Sequence, residues 1–109
     1  GAISEKAVKE YTGKYVLNNA PFDIESFAKM LTGNTYKDIV IELTNKKSLL
    51  FMKTPFSPKI EMGWYAKDEY QSWAFNNTFI RFKRNKKGKV AGLRLHFDEE
   101  NYVEGFKKK

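Results

Sequence analysis

The feature that most constrains this chain is a change of hydrophobic period at Tyr36. Before it, apolar residues recur at helical spacing. After it they alternate with polar residues, the two-residue repeat of strands. Over Lys37–Thr44 the alternation sends Ile39, Ile41 and Leu43 to one face. Asn45-Lys46-Lys47 turns, and Ser48–Lys53 returns carrying LLFM, apolar on both faces. Pro55 and Pro58 bracket a loop, because neither can donate to a sheet ladder. Lys59–Ala66 alternates Ile60, Met62 and Trp64, and Lys67-Asp68 turns into Glu69–Phe75. Asn76-Asn77 leads into Thr78–Arg84, Asn85–Gly88 into Lys89–Phe97, and Asp98–Asn101 into Tyr102–Lys107. Turns this short join antiparallel neighbours, since parallel neighbours need crossovers of a dozen or more residues.

The first third of the chain reads differently. Ile3–Tyr11 is a short helix with Ser4 as its cap, Ile3 placed to staple against Val8, and Gly13 as the stop. A strand over Lys14–Asn18 follows, with Tyr15 and Leu17 on one side. Phe22–Leu31 is a second helix: Asp23 caps it, Phe22 staples to Phe27, and Ile24, Phe27, Ala28 and Leu31 form one stripe that must lie on something apolar. Gly33 and Asn34 end it. With the first strand counted, the expectation is one mainly β domain over residues 1–109. It is an antiparallel meander of about eight strands, closed into a barrel or strongly bent, with a short N-terminal helix and one helix inserted after the first strand.

At 109 residues, 41% apolar and 16% aromatic, the chain can pack one core. It has no cysteine, which removes disulfides, thiolate nucleophiles and thiolate metal sites. No apolar run approaches the roughly 20 residues of a membrane span, and no signal-peptide pattern is present. The opening GAIS suggests an excised or matured piece, with Gly1 a tag remnant.

The net charge of +7 is uneven: residues 81–109 carry ten Lys or Arg against four Asp or Glu. The basic surface expected is Arg81, Lys83, Arg84, Lys86, Lys87 and Lys89, in FKRNKKGKV and the residue before it. Ile80 and Phe82 alternate with Arg81 and Lys83, which puts the charges on a solvent face, and Gly88 suits a positive φ in the turn. Lysines at hairpin tips also discourage edge-to-edge aggregation. The competing reading is a nucleic-acid grip. Against it, Phe79, Phe82 and Phe97 read as core instead of as a stacking platform beside the cations.

The catalytic inventory is thin. His96, in LRLHF, is out of phase with Leu93, Leu95 and Phe97 and reads as a surface histidine. Without Cys or a second His it cannot complete a usual zinc site. No Ser sits in a Gly-x-Ser-x-Gly or Ser-x-x-Lys arrangement. Asp98-Glu99-Glu100-Asn101 lacks the register of a calcium loop and reads as a polar turn. Glu61, Asp68 and Glu69 are the carboxylates from which a minimal hydrolase would draw its pair. No catalytic residue, metal or cofactor is expected.

What remains is an aromatic surplus. Trp64, Tyr65, Tyr70 and Trp73 crowd into one stretch, and neighbours such as Trp64 and Tyr65 must point opposite ways. The simpler reading is barrel core. The other is a ligand pocket drawing on Trp64, Tyr65, Tyr70 and Trp73, with Phe27 and Leu31 of the inserted helix as a lid.

The order of these pieces resembles a known family. YTGKYVL (Tyr11, Gly13, Tyr15), IELTNKKSLLFM and TFIRFKRNKKGKVAGLRLHF (Gly88, Lys89, Val90, Gly92, Leu93, Leu95, His96) resemble the lipocalin-like β-domain of the DUF3471 type. That domain is found C-terminal to beta-lactamase-like serine hydrolases of bacteria. The resemblance covers most of the chain, and Phe22–Leu31 departs from it as a longer insertion. It implies an extracytoplasmic accessory domain without activity of its own, packed on a serine-hydrolase partner domain or holding a small apolar or sugar-like ligand. The hydrolase's serine and lysine belong to its other domain and have no counterpart here.

Overall fold

The computed structural model describes residues 3–17, 23–36, 38–55, 57–72 and 78–108. The chain opens with helix α1, Glu5–Val8, continued by a 3-10 turn over Lys9–Tyr11. Ser4 caps α1 as expected, its hydroxyl accepting from the Ala7 N–H at 3.1 Å. The helical segment stops one residue before Gly13: Thr12 is already extended, and its hydroxyl donates back to the Lys9 carbonyl at 2.8 Å. Gly13 instead opens strand β1, Gly13–Leu17.

Helix α2, Ile24–Thr32, follows and is capped at both ends. Asp23 accepts from the Ser26 N–H at 3.1 Å and from the Ser26 hydroxyl at 2.7 Å. Gly33, left-handed at φ 78°, donates to the Lys29 carbonyl. Phe22 and its proposed staple lie outside the described residues, as do the Asn76-Asn77 turn and Trp73.

Seven more strands complete a meander: β2 Val40–Lys46, β3 Leu49–Thr54, β4 Ser57–Ala66, β5 Glu69–Ser72, β6 Phe79–Arg84, β7 Val90–His96 and β8 Tyr102–Lys107. Every sequential pair is antiparallel. β1 also pairs with β8 through Val16↔Phe106, so the sheet closes into an eight-stranded barrel without free edges. Pro58 is not a loop residue; it lies inside β4. It is tolerated there because the β3–β4 register shifts between Met52 and Thr54, and β5 joins β4 only from Met62 onward.

Alternation fills the interior as the two-residue period requires. Tyr15, Ile41, Leu43, Leu50, Met52, Met62, Tyr70, Ile80, Leu93 and Val103 are all buried. Val8 and Tyr11 join them from the N-terminal helical segment. At about 1.5–3 kcal/mol per large apolar side chain removed from water, this interior is the main stabilising term.

Up-and-down topology sorts the connections between two barrel ends. The turns β2–β3, β4–β5 and β6–β7 lie at one end with the N-terminal helical segment. The connections β3–β4, β5–β6 and β7–β8 lie at the other, where α2 follows β1.

Candidate functional site

The end carrying the N-terminal helix is closed. Tyr11 drops from the 3-10 turn into the barrel, its ring 4.4 Å from Phe82 and 5.5 Å from Tyr70 between centroids. Its hydroxyl donates to Asp68 Oδ1 at 2.8 Å, and the Tyr15 hydroxyl donates to the Tyr11 carbonyl at 2.8 Å. Arg84 binds the same Asp68 carboxylate through Nε and Nη2, at 2.9–3.1 Å. It also reaches Glu10 at 3.3 Å and the Gly88 carbonyl at 2.7 Å. Burial works to raise the Asp68 pKa, but the Arg84 guanidinium and the Tyr11 hydroxyl outweigh it and hold the carboxyl below its ordinary range. Burial first, and Asp68 second, push the Tyr11 hydroxyl up. This end is a hydrogen-bonded plug.

The opposite end is open beneath α2. A cavity of about 390 Å³ is lined by Phe27 and Leu31 of α2, Met52 and Thr54 of β3, Leu95 of β7 and Phe97 beyond it. Ser57 and Thr78 contribute at the rim. Met52 and Leu95 are inward-facing wall residues, so the cavity is the unfilled upper part of the barrel interior. Thr54 and Ser57 hydrogen-bond to one another across the β3–β4 turn, which turns these hydroxyls toward each other. Of the described α2 side chains only Ala28 is buried; Phe27 is 40% exposed, Leu31 56% and Met30 73%. A well-capped helix therefore rests on the barrel mouth with its apolar stripe half-covered. Volume and lining both match a small-molecule pocket, predominantly apolar with a few hydroxyls for orientation.

A second, polar groove of about 690 Å³ meets this cavity at Thr78 and runs past Gln71, Phe79 and Glu99. Asp98 is committed to its own turn, accepting from the N–H groups of Glu100 and Asn101 and from the Asn101 amide; these bonds lower its pKa. Among the described residues no cluster of three or more His, Cys, Asp or Glu is arranged to hold a metal ion.

The aromatic stretch does not converge on the open end. Tyr70 is buried against Tyr11 and Phe82 near the plug, Trp64 is half-buried against the core, and Tyr65 faces solvent. Trp73 lies outside the described residues. Phe27 and Leu31 do line the cavity, joined by Met52, Thr54, Ser57, Thr78, Leu95 and Phe97, which the sequence reading did not single out as a site. Their common signal is topological: each sits near an odd-to-even strand connection, and all of these connections reach the open barrel end. Phe97 is 38% exposed at the cavity and is not core.

His96 corrects a second expectation. It points out of the barrel, as its phase demands, yet it is 2% exposed. Its cross-strand neighbours Phe79 and Tyr102 cover it, with the Phe79 ring stacked at 4.5 Å and 8°. Nδ1 lies 3.1 Å from the Asp98 carbonyl, which can only accept, so this nitrogen is the donor of the pair. The histidine fastens the β7–β8 turn.

The basic hairpin is also partly neutralised. Arg81 pairs with Glu69 and Glu99, Lys83 with Glu104, and Arg84 is turned into the plug. Lys86, Lys87 and Lys89 are exposed. Asp68 and Glu69 are thus tied to arginines, and Glu61, on the outer face of β4 opposite Phe51, forms no salt bridge among the described residues. No helix of the described residues is long and apolar enough to cross a membrane. No family model, curated protein or solved structure matches this chain.

Proposed function

We propose that the domain is a non-catalytic binding module that holds a small apolar ligand in the cavity under α2. The observation that carries this reading is the asymmetry of one interior: side chains and a hydrogen-bonded plug fill it at one end, while about 390 Å³ stays open among Phe27, Leu31, Met52, Leu95 and Phe97 at the other. No described cation lines the cavity, so the ligand class is an uncharged alkyl chain or ring with at most a hydroxyl-sized polar group for Thr54, Ser57 or Thr78. Each methylene taken from water contributes about 0.8 kcal/mol, and a short chain offsets the cost of association only modestly. Binding in the micromolar to millimolar range follows. A thermal-shift series of fatty alcohols tests it: the midpoint rises with chain length until the cavity is filled, and then levels off. A flat series, with glycans equally inert, would remove the reading.

A second reading rests on the exposed side of the same helix. Met30 and the outer halves of Phe27 and Leu31 form an apolar cap, suited to a partner domain. The resemblance to the DUF3471-type lipocalin-like domain supports such an accessory role on an extracytoplasmic serine hydrolase. Chemical-shift mapping with an added hydrolase domain tests this version, and shifts confined to other faces would exclude it.

A further inference from the structure

We infer that the closed end of the barrel is a docking face for an anionic lipid bilayer. The positive charge is not confined to one hairpin and the C-terminal lysine tail, as the linear sequence suggests. Barrel closure brings every connection of this end onto one rim, and each carries free lysine: Lys46 and Lys47 at β2–β3, Lys67 at β4–β5, Lys86 and Lys87 at β6–β7, and Lys108 at the seam of β8 and β1. All six are exposed, and none forms a salt bridge among the described residues. The carboxylates of this end are already matched. Glu5 faces Lys9, Glu10 and Asp68 face Arg84, and Glu69 faces Arg81. Of the acidic residues without such salt bridges, Glu42 and Glu61 lie along the wall, while Asp23, Glu25, Asp38, Asp98 and Glu100 sit at the far end and outnumber the exposed Lys29, Lys53 and Lys59 there, so the positive excess lies at the closed end.

Three details favour a bilayer over nucleic acid. The charges are compact ammonium groups on four separate points of the rim, not guanidinium forks suited to bidentate phosphate contacts. The described aromatics at this end are either buried, as Tyr11 and Phe82 are, or isolated on separate strands, as Tyr65 and Phe106 are, so they form no stacking platform. Around the same rim Leu49, Tyr65 and Phe106 stand outward and exposed, each within two residues of its strand's end. Apolar and aromatic side chains level with a lysine ring suit a headgroup interface, where lysines meet phosphate and the rings settle among the glycerol backbones. Docked this way, the cavity under α2 faces away from the membrane and stays accessible.

Co-sedimentation of the whole chain with vesicles tests the inference. Binding is expected to phosphatidylglycerol-rich vesicles, to be absent from pure phosphatidylcholine, and to fall steeply as salt rises. The variant Lys46→Glu/Lys67→Glu/Lys87→Glu, one change per turn, is expected to lose at least about tenfold in affinity, with an unchanged melting temperature. Phe106→Ser is expected to remove the part of binding that survives moderate salt. Equal binding to single-stranded oligonucleotides and vesicles would overturn the bilayer assignment. No binding to vesicles at low salt would overturn the docking face itself and leave the lysines as solubilising tips. Fatty-alcohol binding by the triple variant is a separate readout, since the cavity lies at the other end.

Discussion

The two ends of this barrel are built from the same alternating strands and do opposite things. At the closed end Tyr11, Tyr15, Tyr70 and Phe82 fill the interior, and Asp68 receives both Tyr11 and Arg84. At the open end the wall residues Met52 and Leu95 face a cavity, and the helix above buries only Ala28 among its described side chains. Stability resides at the first end and binding at the second. A 3-10 turn tied by side-chain hydrogen bonds plugs a barrel. A helix that keeps its own caps and shows half its apolar stripe to water covers a mouth without filling it.

The comparison breaks most easily at Tyr15. Tyr15→Ala removes a fully buried ring and the hydroxyl bond to Tyr11, so we expect a loss of about 3–5 kcal/mol in urea unfolding. Leu31→Ala at the open end should cost no more than about 0.5 kcal/mol in the same assay. Comparable losses would mean that the helix is structural. Asp68→Asn comes next, at about 1–3 kcal/mol, because Arg84 and Tyr11 lose their charged acceptor.

That second effect carries a pH signature. The folded carboxyl titrates below its unfolded value, so its stabilisation is fully present above the unfolded pKa of about 3.9. It is lost as pH falls through the lower, folded value. Wild type and Asp68→Asn should therefore differ most near neutrality and converge in acid. Phe27→Ala and Leu31→Ala together should leave unfolding nearly unchanged while weakening fatty-alcohol binding roughly tenfold, measured by calorimetry. The smallest effect is Tyr70→Phe. The buried Tyr70 hydroxyl has no hydrogen-bond partner among the described residues, so removing it should be neutral or stabilising by up to about 1 kcal/mol.

Much of the architecture was legible because the barrel interior obeys a period of two. Ile39, Ile41 and Leu43, and again Leu93 and Leu95, were buried where alternation put them. The caps Ser4, Asp23 and Gly33 were legible for the same local reason: each satisfies orphan helix-end groups with its own atoms or backbone freedom. The site was less so. Alternation says inward or outward but not at what height, so Tyr70 in the packed half and Leu95 beside the cavity look alike in sequence. His96 obeyed its phase and was misread all the same, because burial outside a barrel depends on cross-strand neighbours, here Phe79 and Tyr102. Pro58 was misread because a register shift let β4 absorb it. The lysine rim required closure, which brings together turns distant along the chain.

The most direct test of the two-ended account is an NMR titration with a medium-chain fatty alcohol. A ligand held at the open end gives intermolecular NOEs from the alkyl chain to the methyl groups of Leu31, Met52 and Leu95, while the resonances of Tyr11, Asp68 and Arg84 stay unmoved. Contacts centred on Tyr11 and Tyr70, or no contacts at the solubility limit of the alcohol, would contradict it.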